Sequence, residues 1–97
     1  MAIENLIAAN DFCVYHHVEY TFLDSLEEAG LVELTIIDQQ KYIPHEQLQR
    51  TERMARLHYE LEINLAGIAS IMNMLERIEL MQGEIKQLKN KLRFFEH

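Results

Sequence analysis

Residues Asn64–His97 read NLAGIASIMNMLERIELMQGEIKQLKNKLRFFEH. Ile71, Met74, Ile78, Met81, Ile85, Leu88, Leu92 and Phe95 follow one another at alternating steps of three and four. That is the heptad spacing of a helix packed along another helix. Glu84, Lys86, Lys89, Lys91, Arg93 and Glu96 supply the charged flanks of a solvated seam. The run is too long to be covered by a domain of about 60 residues. The expectation is therefore a coiled-coil helix whose partner is a second copy of the chain, with those eight residues as the dimerisation seam. The plain alternative is a helix folded back on its own domain. A heptad alone fixes neither strand number nor orientation.

The remaining residues bound the class. The chain has 97 residues, 48% of them apolar, with three Gly and a single Pro at position 44. Such a composition suits one small, ordered, mostly helical domain plus an extended element. We divide it into a domain over residues 1–63 and a connector with long helix over 64–97. Cys13 is the only cysteine, so an internal disulfide is excluded and a structural zinc site lacks its usual ligands. No run of 18 apolar residues and no basic-then-apolar leader is seen, so no membrane association and a cytoplasmic location are expected.

Charge is distributed unevenly. The net charge is −7, and residues 1–40 carry eight Asp and Glu without one Lys or Arg. All nine cations lie from Lys41 onward. A surface of this kind repels phosphate and attracts basic partners. Solubility alone would account for part of this bias, but not for its one-sidedness over forty residues.

In chain order, Glu4–Ile7 reads as an extended lead-in. Asn10 and Asp11 suit a helix start, and the helix is expected to end near His16 or His17, with Val18 as a buried turn residue. A second helix begins around Glu19 or Thr21. Phe22, Leu23, Leu26 and Ala29 form its apolar side, and Tyr20, Asp24, Glu27 and Glu28 most of its outer side. Gly30 follows as a C-cap able to take positive φ. Residues 10–30 thus read as a helix-turn-helix unit. Thr35–Ile37 and Lys41–Ile43 form a two-stranded ribbon around a turn at Asp38-Gln39-Gln40, although that turn lacks Gly. Pro44 opens a helix running to about Leu61, with Leu48, Met54, Leu57 and Leu61 inward and Gln47, Gln49, Arg50 and Arg53 outward. Glu62-Ile63-Asn64 breaks the chain before the last helix, which is read as continuous across Gly83.

No catalytic constellation emerges. His16 and His17 are adjacent and so point about 100° apart on a helix, and His45, His58 and His97 are scattered. Glu27 and Glu28 read as solvated carboxylates, not as an acid–base pair, which needs perturbed surroundings. The chain is therefore expected to be no enzyme and to need no cofactor or metal. In DNA-binding helix-turn-helix proteins the second helix enters the major groove and meets phosphate with cations. Here that helix offers Glu19, Asp24, Glu27 and Glu28, so nucleic-acid binding is disfavoured. An acidic face with Tyr20, Tyr15 and His16 suits a basic helical protein surface instead, with charge steering encounter and aromatics supplying burial. The expected partner-binding residues are Tyr15, His16, Glu19, Tyr20, Asp24, Glu27 and Glu28.

The order of elements resembles the all-α MerR-like fold: helix-turn-helix, small β-wing, further helices, long C-terminal dimerisation helix. The segment Phe22-Leu23-Asp24-Ser25-Leu26-Glu27-Glu28-Ala29-Gly30-Leu31-Val32 is similar to the end of a MerR recognition helix and its Gly-Leu boundary. Where those regulators usually carry arginine followed by tyrosines, this chain has Asp24, Ser25 and Leu26. Within that superfamily the chain is most similar to the chaperone modulators called CbpM. Asp11-Phe12-Cys13, Gly30-Leu31-Val32, Arg53, Arg56-Leu57-His58-Tyr59-Glu60-Leu61, Asn64-Leu65-Ala66-Gly67-Ile68-Ala69 and Met72-Asn73-Met74-Leu75 carry the likeness. The resemblance implies a protein that binds the J-domain of a DnaJ-like co-chaperone and restrains its partnership with Hsp70. On that basis Glu19, Asp24, Glu27 and Glu28 imitate the acidic Hsp70 surface, with Tyr20 as anchor. The alternative function is a MerR-type DNA-binding transcriptional regulator. MerR regulators usually pair their long helices antiparallel to match operator spacing, a constraint that a protein not reading DNA escapes.

Overall fold

The computed structural model describes residues 5–95. Seven elements follow in order: β1 (Leu6–Ala8), α1 (Ala9–His16), α2 (Tyr20–Glu28), β2 (Thr35–Ile37), β3 (Gln40–Pro44), α3 (His45–Tyr59) and α4 (Leu65–Phe95). The chain divides into two units, Met1–Leu65 and Ala66–His97. The first is a helix-turn-helix with a small sheet. The second is the body of one helix.

The helix-turn-helix turn is built on backbone geometry. His17 closes α1 in the left-handed region, with φ 55° and ψ 46°, and the Val18 amide donates to the Cys13 carbonyl at 2.9 Å. Val18 is buried, as the sequence predicts. At the other end of α2, Gly30 takes φ 74°. The Leu31 amide then reaches the Leu26 carbonyl at 2.9 Å and the Gly30 amide reaches Glu27 at 3.0 Å. This is a Schellman closure, which needs a residue without a Cβ penalty at the left-handed position. Ala29, expected on the apolar side of α2, is exposed because it belongs to this closure and not to the helix face.

The ribbon is three-stranded, in the order β1-β3-β2. Of the expected lead-in over Glu4–Ile7, Glu4 lies outside the described residues; Leu6 and Ile7 belong, with Ala8, to a true strand and oppose Pro44, Ile43 and Tyr42 of β3. Thr35, Ile36 and Ile37 oppose Tyr42, Lys41 and Gln40. The turn is one residue shorter than the sequence suggests, because Gln40 already pairs with Ile37. Asp38 and Gln39 are its two central residues, with φ 51° and 68°. Two positive φ angles in a two-residue hairpin loop match the right-handed twist of the strands. Asp38 and Gln39 stand here where Asn-Gly is usual.

The core of the first unit gathers Phe12, Phe22, Leu23, Leu26, Ile43 and Met54, with Ala9, Cys13, Val18, Val32 and Ala55 filling between them. Leu23, Leu26, Ile43 and Met54 are fully buried. Thr51 joins them because its hydroxyl donates to the Gln47 carbonyl one turn back at 2.7 Å, so no donor is left unsatisfied. Helix α3 stops at Tyr59, two residues short of the expected Leu61, which is 65% exposed. Glu62 turns the chain with φ 56°, and the Ile63 carbonyl faces His58 Nδ1 at 2.9 Å.

In the second unit, α4 is unbroken through Gly83. Met74, Ile78, Met81, Ile85, Leu88, Leu92 and Phe95 are all exposed, and Ile71 is half-buried. Among the described residues no helix is long and apolar enough to cross a membrane. Glu96 and His97 lie outside the described residues.

Candidate protein-docking interface

Helix α2 carries the chemistry singled out in the sequence. Leu23 and Leu26 anchor it in the core. Asp24 and Glu27, one position on from each, share the adjoining stripe because residues three apart lie on one helix face. Strand β3 aims a cation at that stripe. Side chains two apart in a strand point to the same side, so Lys41 shares the face of fully buried Ile43. Its ammonium lies 2.6 Å from Glu27 Oε1 and 3.2 Å from Asp24 Oδ1. The Glu27 and Asp24 hydrogen bonds hold the Lys41 ammonium well above the usual lysine range. The first cation in the chain is thus committed to its own acidic helix.

The start of α2 is held by α3. The Glu19 amide donates to Tyr59 Oη at 3.0 Å. Phe22 stacks on His58 at 4.4 Å and meets Tyr59 edge-on at 5.4 Å. These contacts fix the helix while leaving the Glu19 carboxylate in solvent. Tyr20 is 37% exposed and Glu28 is exposed. Glu27 and Glu28 occupy the last turn, where the helix dipole disfavours negative charge by a few tenths of a kcal/mol, up to about 1 kcal/mol. No basic residue occupies that turn, so Lys41 supplies the compensation from outside.

Tyr15 and His16 belong to a different patch. His16 Nε2 lies 3.3 Å from Glu52 Oε2 on α3, and its ring meets Phe12 at 4.4 Å and Tyr15 at 4.9 Å. Together with Ile7, Asp11 and Leu48 these residues line a hollow of about 260 Å³ with an apolar floor. The predicted partner-binding set therefore divides. Asp24 and Glu27 meet at the wing lysine, Glu19 sits over the α2–α3 contact, and Tyr15 and His16 flank an α1–α3 hollow.

Sequence reading missed the Lys41 clamp. Its signal was available in the i, i+3 spacing of Asp24 and Glu27 and in the parity of Lys41 with Ile43. It also placed Arg50 in solvent, whereas Arg50 Nε donates to the Leu31 carbonyl at 2.7 Å and locks the loop after α2. Arg53 and Arg56 are the exposed cations of α3. Among the described residues no group of three His, Cys, Asp or Glu could hold a metal ion; buried Cys13 stands apart from His16, which pairs with Glu52, and from His58, which stacks on Phe22. Burial, with a smaller contribution from the Asp24 charge, pushes its thiol above the ordinary range.

No curated protein and no solved structure matches the chain. A family model described as MerR HTH family regulatory protein matches residues 7–90, from β1 through most of α4. By that match and by its helix-turn-helix, three-stranded wing and long C-terminal helix, the chain belongs to the MerR helix-turn-helix family of regulatory proteins.

Proposed function

We propose that the protein is a non-enzymatic chaperone modulator: it binds the J-domain of a DnaJ-like co-chaperone through the acidic face of α2 and restrains that domain's interaction with Hsp70. The observation that carries this reading is the Lys41 clamp. A MerR-type DNA reader needs cations free for phosphate on the second helix and wing. Here α2 has none, and the wing cation is spent on Asp24 and Glu27. The same clamp makes α2 a surface already shaped to accept an ammonium. A basic helix supplies such groups, while Tyr20 offers an aromatic anchor beside them.

The mechanism is occlusion. The modulator occupies the basic J-domain surface that Hsp70 would otherwise contact, and charge complementarity raises the encounter rate. Homodimerisation through the α4 seam accompanies it in this reading and presents two such faces per assembly. No chemical step is required.

Titration of a basic J-domain fragment against the wild type and against Asp24→Lys with Glu27→Lys tests the assignment. At least a tenfold loss of affinity in the folded double variant is expected. Unchanged affinity would sink it. Retardation of random-sequence DNA by the wild type, with no J-domain binding, would favour the DNA-regulator alternative.

A further inference from the structure

We infer that the hollow between α1 and α3 is a second docking surface, and that it takes one apolar side chain of a basic amphipathic helix from another protein. This goes beyond the J-domain assignment, which concerns the acidic face of α2. The hollow follows from helix periodicity. Residues four apart lie on one helix face, so Asp11 and Tyr15 line up on α1, as do Phe12 and His16, while Leu48 and Glu52 line up on α3. With Ile7 of β1 these side chains enclose about 260 Å³. Small-molecule sites run from roughly 300 to 1,000 Å³, so this hollow suits a single side chain. Phe12 is buried, and Ile7 and Leu48 are half-buried. None of the three offers a side-chain polar atom that would orient a polar ligand.

The wall and the rim name the occupant. Tyr15 is 80% exposed, the most exposed aromatic residue described in the first unit, and contributes nothing to the core. Its ring rests edge-on against His16 at 4.9 Å. His16 in turn meets Phe12 at 4.4 Å and lies 3.3 Å from Glu52. The wall is thus braced before any partner arrives, which lowers the ordering cost of binding. A tyrosine beside an apolar pocket is the kind of residue that anchors protein interfaces. The rim is acidic. Asp11 is exposed and has no ion-pair partner among the described residues, and no Lys or Arg lines the hollow. Exposed Arg56 stands one turn beyond Glu52 on α3, so the acidic end of the hollow is the Asp11 end. A helix that seats an apolar residue in the hollow and carries Lys or Arg one turn away meets Asp11 with opposite charge. An acidic helix would meet repulsion there.

Two-dimensional NMR of the full chain, titrated with a synthetic amphipathic helical peptide of Leu and Lys, tests the assignment. Amide shifts are expected at Ile7, Asp11, Tyr15 and Leu48. They should persist in Asp24→Lys with Glu27→Lys, which removes the acidic face of α2. Tyr15→Ala and Asp11→Asn alter exposed side chains, so both variants should fold. Tyr15→Ala should raise the Kd read at these resonances about tenfold, and Asp11→Asn should flatten its salt dependence. Shifts confined to α2, or none at all, overturn the second surface. Equal binding by a counterpart peptide with Gln in place of Lys overturns the basic occupant. Movement of the same resonances with protein concentration alone, before peptide is added, assigns the hollow to a second copy of the chain and overturns the proposal. The J-domain titration against the α2 variants reads the other assignment by itself, so the two fail independently.

Discussion

Lys41 Nζ lies 2.6 Å from Glu27 Oε1, so a wing residue and the second helix of the helix-turn-helix are tied by an ion pair that Asp24 completes at 3.2 Å. In this family's DNA-reading geometry both elements would be turned towards phosphate. Here each neutralises part of the other. What remains uncompensated among the described residues is negative: Glu19 just before α2 and Glu28 at its end, with Glu33 beyond it.

Removing the lysine should therefore strengthen binding of a basic partner. Lys41→Ala frees Asp24 and Glu27 for an incoming ammonium, and about a threefold or greater gain in affinity for a basic J-domain fragment is expected at low salt, shrinking as ionic strength rises. Isothermal titration at two salt concentrations reads both effects. The pH dependence has a definite sign. Because the folded-state lysine is raised, its stabilising contribution is fully present below the ordinary lysine value near 10.4 and is lost only as pH rises through the raised value. Thermal melts from pH 7 to 9 should show no loss attributable to this pair.

Two glycines should respond in opposite directions. Gly30→Ala forces a Cβ into φ 74° in open space, so strain and not collision opposes it. A loss of about 1 kcal/mol is expected. Gly83 lies in mid-helix with nothing within 4 Å of an added Cβ, so Gly83→Ala should stabilise α4 by about 0.8–1 kcal/mol. Urea denaturation followed by circular dichroism measures both.

The wing turn offers a stabilising substitution. Gln39 holds φ 68° at the second position of a two-residue hairpin loop, where glycine is favoured. Gln39→Gly should raise stability by several tenths of a kcal/mol to about 1 kcal/mol. An unchanged or lowered denaturation midpoint would contradict the turn geometry.

Cys13 should be inert in the folded chain. It is 8% exposed, and burial raises its thiol, so the reactive thiolate is scarce at neutral pH. Modification by an aromatic disulfide reagent should be at least about a hundredfold slower in native buffer than in denaturant. The sign for stability follows from the raised value: the contribution is present below the ordinary thiol range and fades as pH rises through the folded-state value.

Truncating the centre of the core should unfold the first unit. Leu23 is fully buried on the inner face of α2, and Leu23→Ala is expected to cost about 2–5 kcal/mol. A two-dimensional NMR spectrum at 25 °C would show collapse of dispersion for residues of the helix-turn-helix.

The order of helices, the left-handed Gly30 and the α4 stripe were determined by sequence alone, because each depends on residues within a turn or two of one another. Gly30 follows the last apolar residue of α2, and the three-four spacing from Ile71 to Phe95 survives as one exposed face of an unbroken helix. Strand β1, the two-residue turn and the stop of α3 at Tyr59 were decided by tertiary structure. Leu6–Ala8 is a strand only because β3 offers it an edge. Leu61 fails as an inward residue because Glu62 and the His58 contact turn the chain first. The acidic half was plain in the sequence, but its pairing with Lys41 was not. The charge of each residue is local information, whereas the 2.6 Å contact exists because the register of β3 puts Lys41 on the face of Ile43, against the one stripe of α2 that carries Asp24 and Glu27.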